Sequence, residues 1–260
     1  MTHVACFSGG KDSTALLLWL RDNGVEHQTV FCDTGWEHPI TLEYIRYVND
    51  LLLDGKLIVL KNGDMRSLVV KKKRVPSACA RFCTEYLKII LMIAYLKTID
   101  DEVTVYQGIR AEESKARSSF SQCEWSDSFD AWICRPLFYW TSQQIFDLLK
   151  SHSVEPNPLY KQGASRVGCF PCVLVNHGEL SRVGQHHPEI WDRAKELETL
   201  VGHSFFPPNY IPMRFMSRVD EKTGISIPTV DDVRKYVADR RNVNFDEPTT
   251  SCMSIYNLCE

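Results

Sequence analysis

Residues 6–20 read CFSGGKDSTALLLWL, and the fold turns on them. An apolar run stops at two glycines, Lys11 and Asp12 follow at once, and leucines then resume at helical spacing. That order predicts a strand, a tight turn and the start of a helix. Gly9 and Gly10 permit positive φ and a close approach of the main chain. In such a turn the backbone N–H groups converge on an anion, and the helix N-terminus adds partial positive charge. Phosphate suits that arrangement. Ser8 and Ser13 supply hydroxyl donors, Lys11 a point cation, and Asp12 a carboxylate that caps the helix or helps to hold Mg2+. The spacing differs from GxxxxGK[ST], which excludes the common P-loop. Helix capping alone would need neither a second glycine nor a lysine beside it.

Outward from this stretch the first half alternates strand-like and helix-like segments. HVACF, HQTVFCD and KLIVLK read as strands, separated by STALLLWLRDN and ITLEYIRYVNDLL as helices. Such alternation predicts a parallel sheet covered by helices. PSACARFCTEYLKIILMIAYLKT reads as one long helix opened near Pro76 and Ser77, and EVTVYQGI as a further strand ending at Gly108. RAEESKARSSFSQCEWSDSFDAW is too polar for core and reads as a loop over the carboxyl edge of the sheet. RPLFYWTSQQIFDLLKSHS gives a strand end and a helix capped by Thr141. The expected architecture is α/β, a Rossmann-like parallel twisted sheet of about five strands with helices on both faces. Residues 1–150 would form the nucleotide-binding part, and 151–260 a cysteine-containing, helical and irregular region packed on it.

The chain has 260 residues, 44% of them hydrophobic, enough for one good core or a core with a small appended unit. With 30 basic and 33 acidic residues its formal charge is −3, so the surface as a whole does not read as a nucleic-acid binder. The KKKR run at 71–74, with Arg81 near it, is the one strong basic cluster, a solvated end or a local phosphate contact. The N-terminal residues show no charged leader with a long apolar region, and no stretch approaches a membrane span, so a cytoplasmic location is expected.

Ten cysteines without a secretion signal suggest reduced thiols, metal ligands or redox groups rather than a disulfide framework. Cys6, Cys32 and Cys134 sit among apolar neighbours and read as small core residues. GCFPC places Cys169 and Cys172 in a C-x-x-C turn, a spacing that suits two thiolates on one metal or a redox dithiol. Cys83 lies in RFCTEYLK, and Cys79, four residues earlier, would share its helix face.

SGGKDS resembles the PP-loop of the adenine-nucleotide alpha-hydrolase superfamily, whose members split ATP between the alpha and beta phosphates. FCDTG at 31–35, RFCTEYLK at 81–88, GIRAEES at 108–114, RPLFYW at 135–140 and NPLYKQG at 157–163 resemble, in the same order, the phosphoadenosine phosphosulfate reductase branch. The resemblance implies that Ser8, Gly9, Gly10, Lys11, Asp12 and Ser13 hold the phosphates and that the strand ending at Asp33 lies beside the adenine. It makes Lys88, Arg110 and Arg117 candidates for pyrophosphate or substrate anions, with Arg110 following Gly108 at a strand's carboxyl end, where open α/β sheets bind ligands. Iron–sulfur members of the branch carry cysteines at the positions of Cys83, Cys169 and Cys172, which implies a [4Fe–4S] cluster, with zinc as the alternative. The fourth ligand is left open between Cys79, Cys252 and Cys259.

Within the branch, the complete SGGKDS and the absence of a Glu-Cys-Gly-Leu-His tail favour ATP cleavage over sulfonucleotide reduction. The combination resembles a shorter relative of the ATP pyrophosphatase of the Dnd DNA-phosphorothioation system. That implies an enzyme using ATP with Mg2+ to adenylate an acceptor for sulfur incorporation, a nucleic acid or nucleotide-type molecule, with a sulfur donor such as a cysteine desulfurase. Sulfonucleotide reduction and a non-catalytic ATP-binding sensor remain the alternatives.

Overall fold

The computed structural model describes residues 1–114, 117–221 and 223–245. The chain begins with β1 (Thr2–Cys6), α1 (Lys11–Asp22), β2 (Gln28–Cys32), α2 (Pro39–Leu52), β3 (Ile58–Leu60) and α3 (Met65–Lys72). A continuous helical stretch follows: α4 (Phe82–Thr84), a π-helical turn (Glu85–Ile89) and α5 (Ile90–Leu96). Next come β4 (Val103–Tyr106), β5 (Cys123–Ser126), β6 (Ala131–Cys134) and α6 (Ser142–Ser151). The remainder is helical, with α7 (His177–His186), α8 (Glu189–Val201) and α9 (Val230–Ala238), plus a short ribbon of β7 (Arg218–Val219) and β8 (Ser226–Ile227).

The large sheet has the order β3-β2-β1-β4-β6-β5. Every neighbouring pair is parallel except β5 with β6. The Rossmann-like α/β expectation therefore holds, with one strand more than the sequence suggested. β1 is central because Val4 and Ala5 are inaccessible on opposite faces, each met by a helical layer. On one face Leu16, Leu18 and Leu20 of α1 pack with Val48 of α2 and Ile145 of α6. On the other, Ile89, Met92 and Leu96 cover Val4, Val30 and Val105. A third cluster joins Trp36, Met65, Leu68 and Phe82 to Leu180, Ile190, Trp191 and Val233, so the C-terminal helices share a core with α3 and the start of α4. None of the described helices is long and apolar enough to cross a membrane.

Three local expectations give way. The stretch read as a loop contains β5, which pairs antiparallel with β6 and puts Cys123 directly opposite Cys134. Their Cα atoms lie 4.3 Å apart, the spacing of a close cross-strand pair, and the two sulfurs form a disulfide, so Cys134 is not a core thiol. The long helix begins at Phe82 rather than Pro76, because Ser77 and Ala80 exchange backbone hydrogen bonds in a tight turn. Cys79 lies in that turn, exposed, and shares no helix face with Cys83. Finally, β4 stops at Tyr106, two residues before Gly108.

Leu18 is fully buried between β1 and α1's neighbours. Leu18→Ala is expected to lower the unfolding free energy by about 2–5 kcal/mol, read as a lower urea midpoint at unchanged slope.

Candidate active site

The turn between β1 and α1 is fixed by sterics at both glycine positions that matter. Gly9 has φ +79°, and a Cβ there would come within 2.8 Å of Ile45 Cγ1. A Cβ at Gly108 would meet the Asp12 carbonyl and the Ser13 amide nitrogen at 2.8 Å, so only glycine lets the end of β4 lie against the first turn of α1. Gly10 is the N-cap with extended backbone, and no side chain caps it in the usual way. Ser8 and Ser13 hydroxyls lie 3.1 Å apart, while the Thr14 hydroxyl donates to Gly10 O at 2.8 Å.

Charge is concentrated behind this turn. Asp12 is 2% exposed and is bridged by Lys11 Nζ at 2.6 Å and Arg110 Nε at 2.5 Å. Burial alone would raise the Asp12 pKa, but the Lys11 ammonium and the Arg110 guanidinium outweigh it and hold the carboxyl below its ordinary value. Arg110 is fully engaged: Nη1 donates to Glu112 and to Trp140 O, both at 3.2 Å, and Nη2 to Ser142 Oγ at 3.1 Å. It is thus a buried tie between β4, α1 and α6 rather than a surface pair. Lys11, Asp12 and Arg110 together line a polar opening of about 700 Å3 that also takes in Tyr160 and Arg166.

Beside the turn, at the carboxyl ends of β1, β2 and β4, lies a cavity walled by Cys6, Phe31, Cys32, Met92 and Ile109, with Ser8, Ser13 and Gly108 at its polar end. This is where an open parallel sheet binds ligands. Burial pushes the Cys32 thiol up to about 11, against the pull of Lys88. Two polar residues on this wall, Glu37 and Gln107, escaped the sequence analysis. Glu37 accepts from the Thr34 hydroxyl at 2.6 Å and the Trp36 amide at 3.1 Å. Gln107 accepts from Arg135 Nε at 3.2 Å through Oε1, which fixes the amide and leaves Nε2 buried with no protein partner among the described residues. The only sequence signal for either is adjacency, to FCDTG and to GIRAEES.

A second cavity collects Cys83, Cys169 and Cys172 with Arg81, Lys88 and Arg166. Lys88 and Gly168 belong to both walls, so the three thiols stand next to the cavity beside the turn. The π-helical turn around Lys88 leaves its carbonyl as acceptor for the Cys32 thiol at 3.8 Å. The Cys169 thiol is raised, first by burial, then by Glu37, Cys172 and Cys83, and Lys88 opposes them. Such a thiol becomes a thiolate only with a cation or metal beside it.

Other predicted residues fall outside these walls. Asp33 closes an Asx turn onto the Gly35 amide at 2.8 Å and pairs with Lys61 at 2.6 Å, while its neighbours Phe31 and Cys32 face the cavity. Arg117 is buried against Glu113 and contributes to neither wall. Cys79 is absent from the thiol cavity, and Cys252 and Cys259 lie outside the described residues. The KKKR run is split, since Lys72 lies 3.9 Å over the Tyr86 ring while Lys71, Lys73 and Arg74 are exposed.

A further cluster looks metal-like and is not. Ligand atoms of His38, His187 and Glu189 lie within 4.8 Å of one another. However, His38 Nδ1 accepts the Ile40 amide at 3.0 Å, so the ring proton sits on Nε2 and that nitrogen has no lone pair for a cation. Burial, then His187, push the His38 pKa down to about 4 from an ordinary 6.5, with Glu189 opposing. The unfolded chain therefore binds a proton that the folded one refuses between about 6.5 and 4. Stability from this group is complete above that window and is lost as pH falls through it. Melts from pH 7 to 4.5 should show the gap between wild type and His38→Asn, which keeps a capping acceptor, closing as the pH falls.

The phosphoadenosine phosphosulfate reductase domain model matches residues 2–175. An uncharacterized 37.8 kDa protein of Escherichia phage 186 is 33% identical, over 85% of this chain and 84% of its own length. The adenosine 5'-phosphosulfate reductase of Staphylococcus haemolyticus is 32% identical, over 68% of this chain and 73% of its own. The solved phosphoadenylyl-sulfate reductase of Candida auris, a phosphate complex, shares the fold with a TM-score of 0.54 at 18% identity, over 66% of this chain and 83% of that one.

Proposed function

We propose that this chain, which belongs to the phosphoadenosine phosphosulfate reductase domain family, is an ATP pyrophosphatase that adenylates an acceptor for sulfur incorporation. The family and the loop make it a nucleotide-binding enzyme of the PP-loop type. The observation that carries the ATP assignment is the intact turn of residues 8–13, with the Lys11 ammonium beside it and a mainly apolar cavity at its side. Adenosine occupies the cavity between Phe31, Met92 and Ile109, where the buried Gln107 Nε2 offers a donor to a ring or ribose acceptor. The phosphates lie over the turn, and Mg2+ enters with ATP as part of the substrate.

An acceptor oxygen attacks the alpha phosphorus, a new P–O bond forms, and the bond to the bridging oxygen breaks with its electron pair leaving on pyrophosphate. Lys11 and the backbone donors stabilise that departing charge. Asp12 is already spent on Lys11 and Arg110, so its role is to hold those cations rather than to ligate magnesium. Adenylation converts the acceptor oxygen into a leaving group that a donor's sulfur displaces, releasing AMP; where the donor is the persulfide of a cysteine desulfurase, a thiol reductant then cleaves the S–S bond formed. The acceptor is of nucleic-acid or nucleotide type, and the three exposed cations of residues 71–74 are available to its backbone.

The chemistry of the donor set supports a [4Fe–4S] cluster on Cys83, Cys169 and Cys172, which line one cavity, with the fourth ligand from Cys252 or Cys259. Zinc on the same thiolates is the competing occupant. When bound, either would supply positive charge that keeps the buried thiolates ionised, and a cluster could also bind sulfur. Likeness to the Staphylococcus haemolyticus reductase supports a second reading, sulfonucleotide reduction in the same cavity.

Anaerobically purified protein given Mg2+, ATP, candidate acceptors and a sulfur donor is expected to release AMP and pyrophosphate, and Lys11→Ala to reduce kcat/KM by about 10²–10³ with an unchanged melt. Sulfite release from adenosine 5'-phosphosulfate with a dithiol, and none of the ATP products, would replace this reading by the second. Iron analysis near four per chain is expected, falling in Cys169→Ser, whereas stoichiometric zinc would reassign the thiols to a structural clip.

A further inference from the structure

The NPLY stretch is the part of the C-terminal region that reaches the phosphate turn, and it does so with hydrogen bonds. Asn157 is completely buried. Its Oδ1 accepts the Leu159 amide at 3.1 Å, which starts the short 3-10 helix Pro158–Gln162. Its Nδ2 donates to Gly9 O at 3.2 Å and to Thr41 Oγ1 at 3.3 Å. The peptide between Gly9 and Gly10 is planar and trans, so pinning the carbonyl toward Asn157 turns the Gly10 N–H the opposite way. Three residues on, the Tyr160 hydroxyl accepts the Lys11 N–H at 3.1 Å, the first amide of α1. The same ring lies 5.4 Å from Lys11 Nζ and is backed edge-on by Phe146 at 6.0 Å. No side chain of the turn itself caps α1, and Tyr160 fills that place.

We propose that Asn157 and Tyr160 are positioning residues for phosphate binding, Asn157 by setting the Gly9–Gly10 peptide plane and Tyr160 by holding the amide and ammonium of Lys11. The assignment rests on the nucleotide reading of the turn and extends it to a second segment about 150 positions away in the chain. Neither residue touches the reacting atoms. Both act through the turn, and Tyr160 acts specifically through Lys11. One consequence is that the two halves of the molecule are joined at the phosphate site itself, so disturbance of the segment following Asn157 is felt as a change in phosphate affinity.

Two measurements on the full chain test this. The first is hydrogen exchange over residues 7–14 of the unliganded protein. Asn157→Asp, nearly isosteric but lacking the donor, and Tyr160→Phe, which keeps the ring, should each speed exchange there while the later turns of α1 stay protected. The second is equilibrium binding of ATP and of adenosine to wild type, Tyr160→Phe, Lys11→Ala and the double variant. Tyr160→Phe is expected to weaken ATP by about five- to tenfold, the worth of one hydrogen bond, to leave adenosine unchanged, and to cost the same in the Lys11→Ala background, because the hydroxyl holds the main-chain N–H that alanine keeps. Unchanged exchange in both variants would overturn the proposal whatever the nucleotide. A Tyr160→Phe penalty that vanishes in the Lys11→Ala background would overturn the action through the Lys11 amide. Faster exchange in a wild-type-like pattern with no ATP binding by wild type would sink the ATP reading and leave the hold on the turn standing. Asn157→Asp failing to fold leaves Tyr160→Phe to decide, since that residue is only half-buried.

Discussion

A carboxylate taken out of water has to be neutralised where it lies, and Asp12 sets that demand at the centre of this molecule. It is 2% exposed, and its two bridging cations come from different places, Lys11 from the same helical turn and Arg110 from beyond β4. Because Arg110 also donates to Trp140 O and Ser142 Oγ, neutralising Asp12 brings the start of α6 to the same point. The absence of a side chain at Gly108 permits this approach, since the backbone of Asp12 and Ser13 occupies the space a Cβ would need. One buried charge therefore fixes the relation of β1, α1, β4 and α6, and with it the shape of the phosphate turn.

Much of this half was legible in the sequence because its signals are local. The glycine pair, the leucine spacing in α1 and the apolar runs of β1, β2 and β4 each report on their own segment, and the parallel sheet follows from their alternation. The β5–β6 hairpin was not legible. As an edge unit it exposes Trp125 and Trp132 to solvent, so it lacks the apolar run by which a buried strand is recognised. Pro76 was a sound helix-start signal in the wrong place, displaced six residues by the turn that Ser77 and Ala80 close. Among site residues, Glu37 and Gln107 lie beside motifs, and Asn157 and Tyr160 lie inside NPLYKQG without a role the motif names; all four do their work through partners remote in sequence or by folding back, and no spacing rule reports that. Arg117 shows the converse, a candidate that the structure spends on Glu113.

The thiol cavity draws on segments that are separately unremarkable. Cys83 comes from the start of a helix whose π-helical turn displaces the residues after it, and Cys169 and Cys172 come from a loop tied back to β2's exit by the His38 amide to Gly168 O and the Phe170 amide to Trp36 O. Arg193 closes this region by stacking 4.3 Å from Trp36. The nucleoside cavity and the thiol cavity share Lys88 and Gly168, so a charge change in one is felt electrostatically in the other across a few ångströms of low-dielectric interior.

The two-cation arrangement on Asp12 also explains how one lysine can serve two masters. On the proposed function, a phosphate arriving over the turn competes with Asp12 for the Lys11 ammonium. With a single counter-ion, that competition would strand a buried carboxylate, a loss of about 3–5 kcal/mol that the phosphate contact would have to exceed. Arg110 removes the obstacle, because its guanidinium stays on Asp12 when Lys11 turns away, and its other hydrogen bonds to Glu112, Trp140 O and Ser142 keep it from following. Lys11 is thus held in place by an interaction weak enough, in net terms, to be exchanged, while the scaffold beneath it is held by one that is not. That division of labour requires an arginine at position 110, whose fork reaches several acceptors at once, and a lysine at position 11, whose point charge can swing between two.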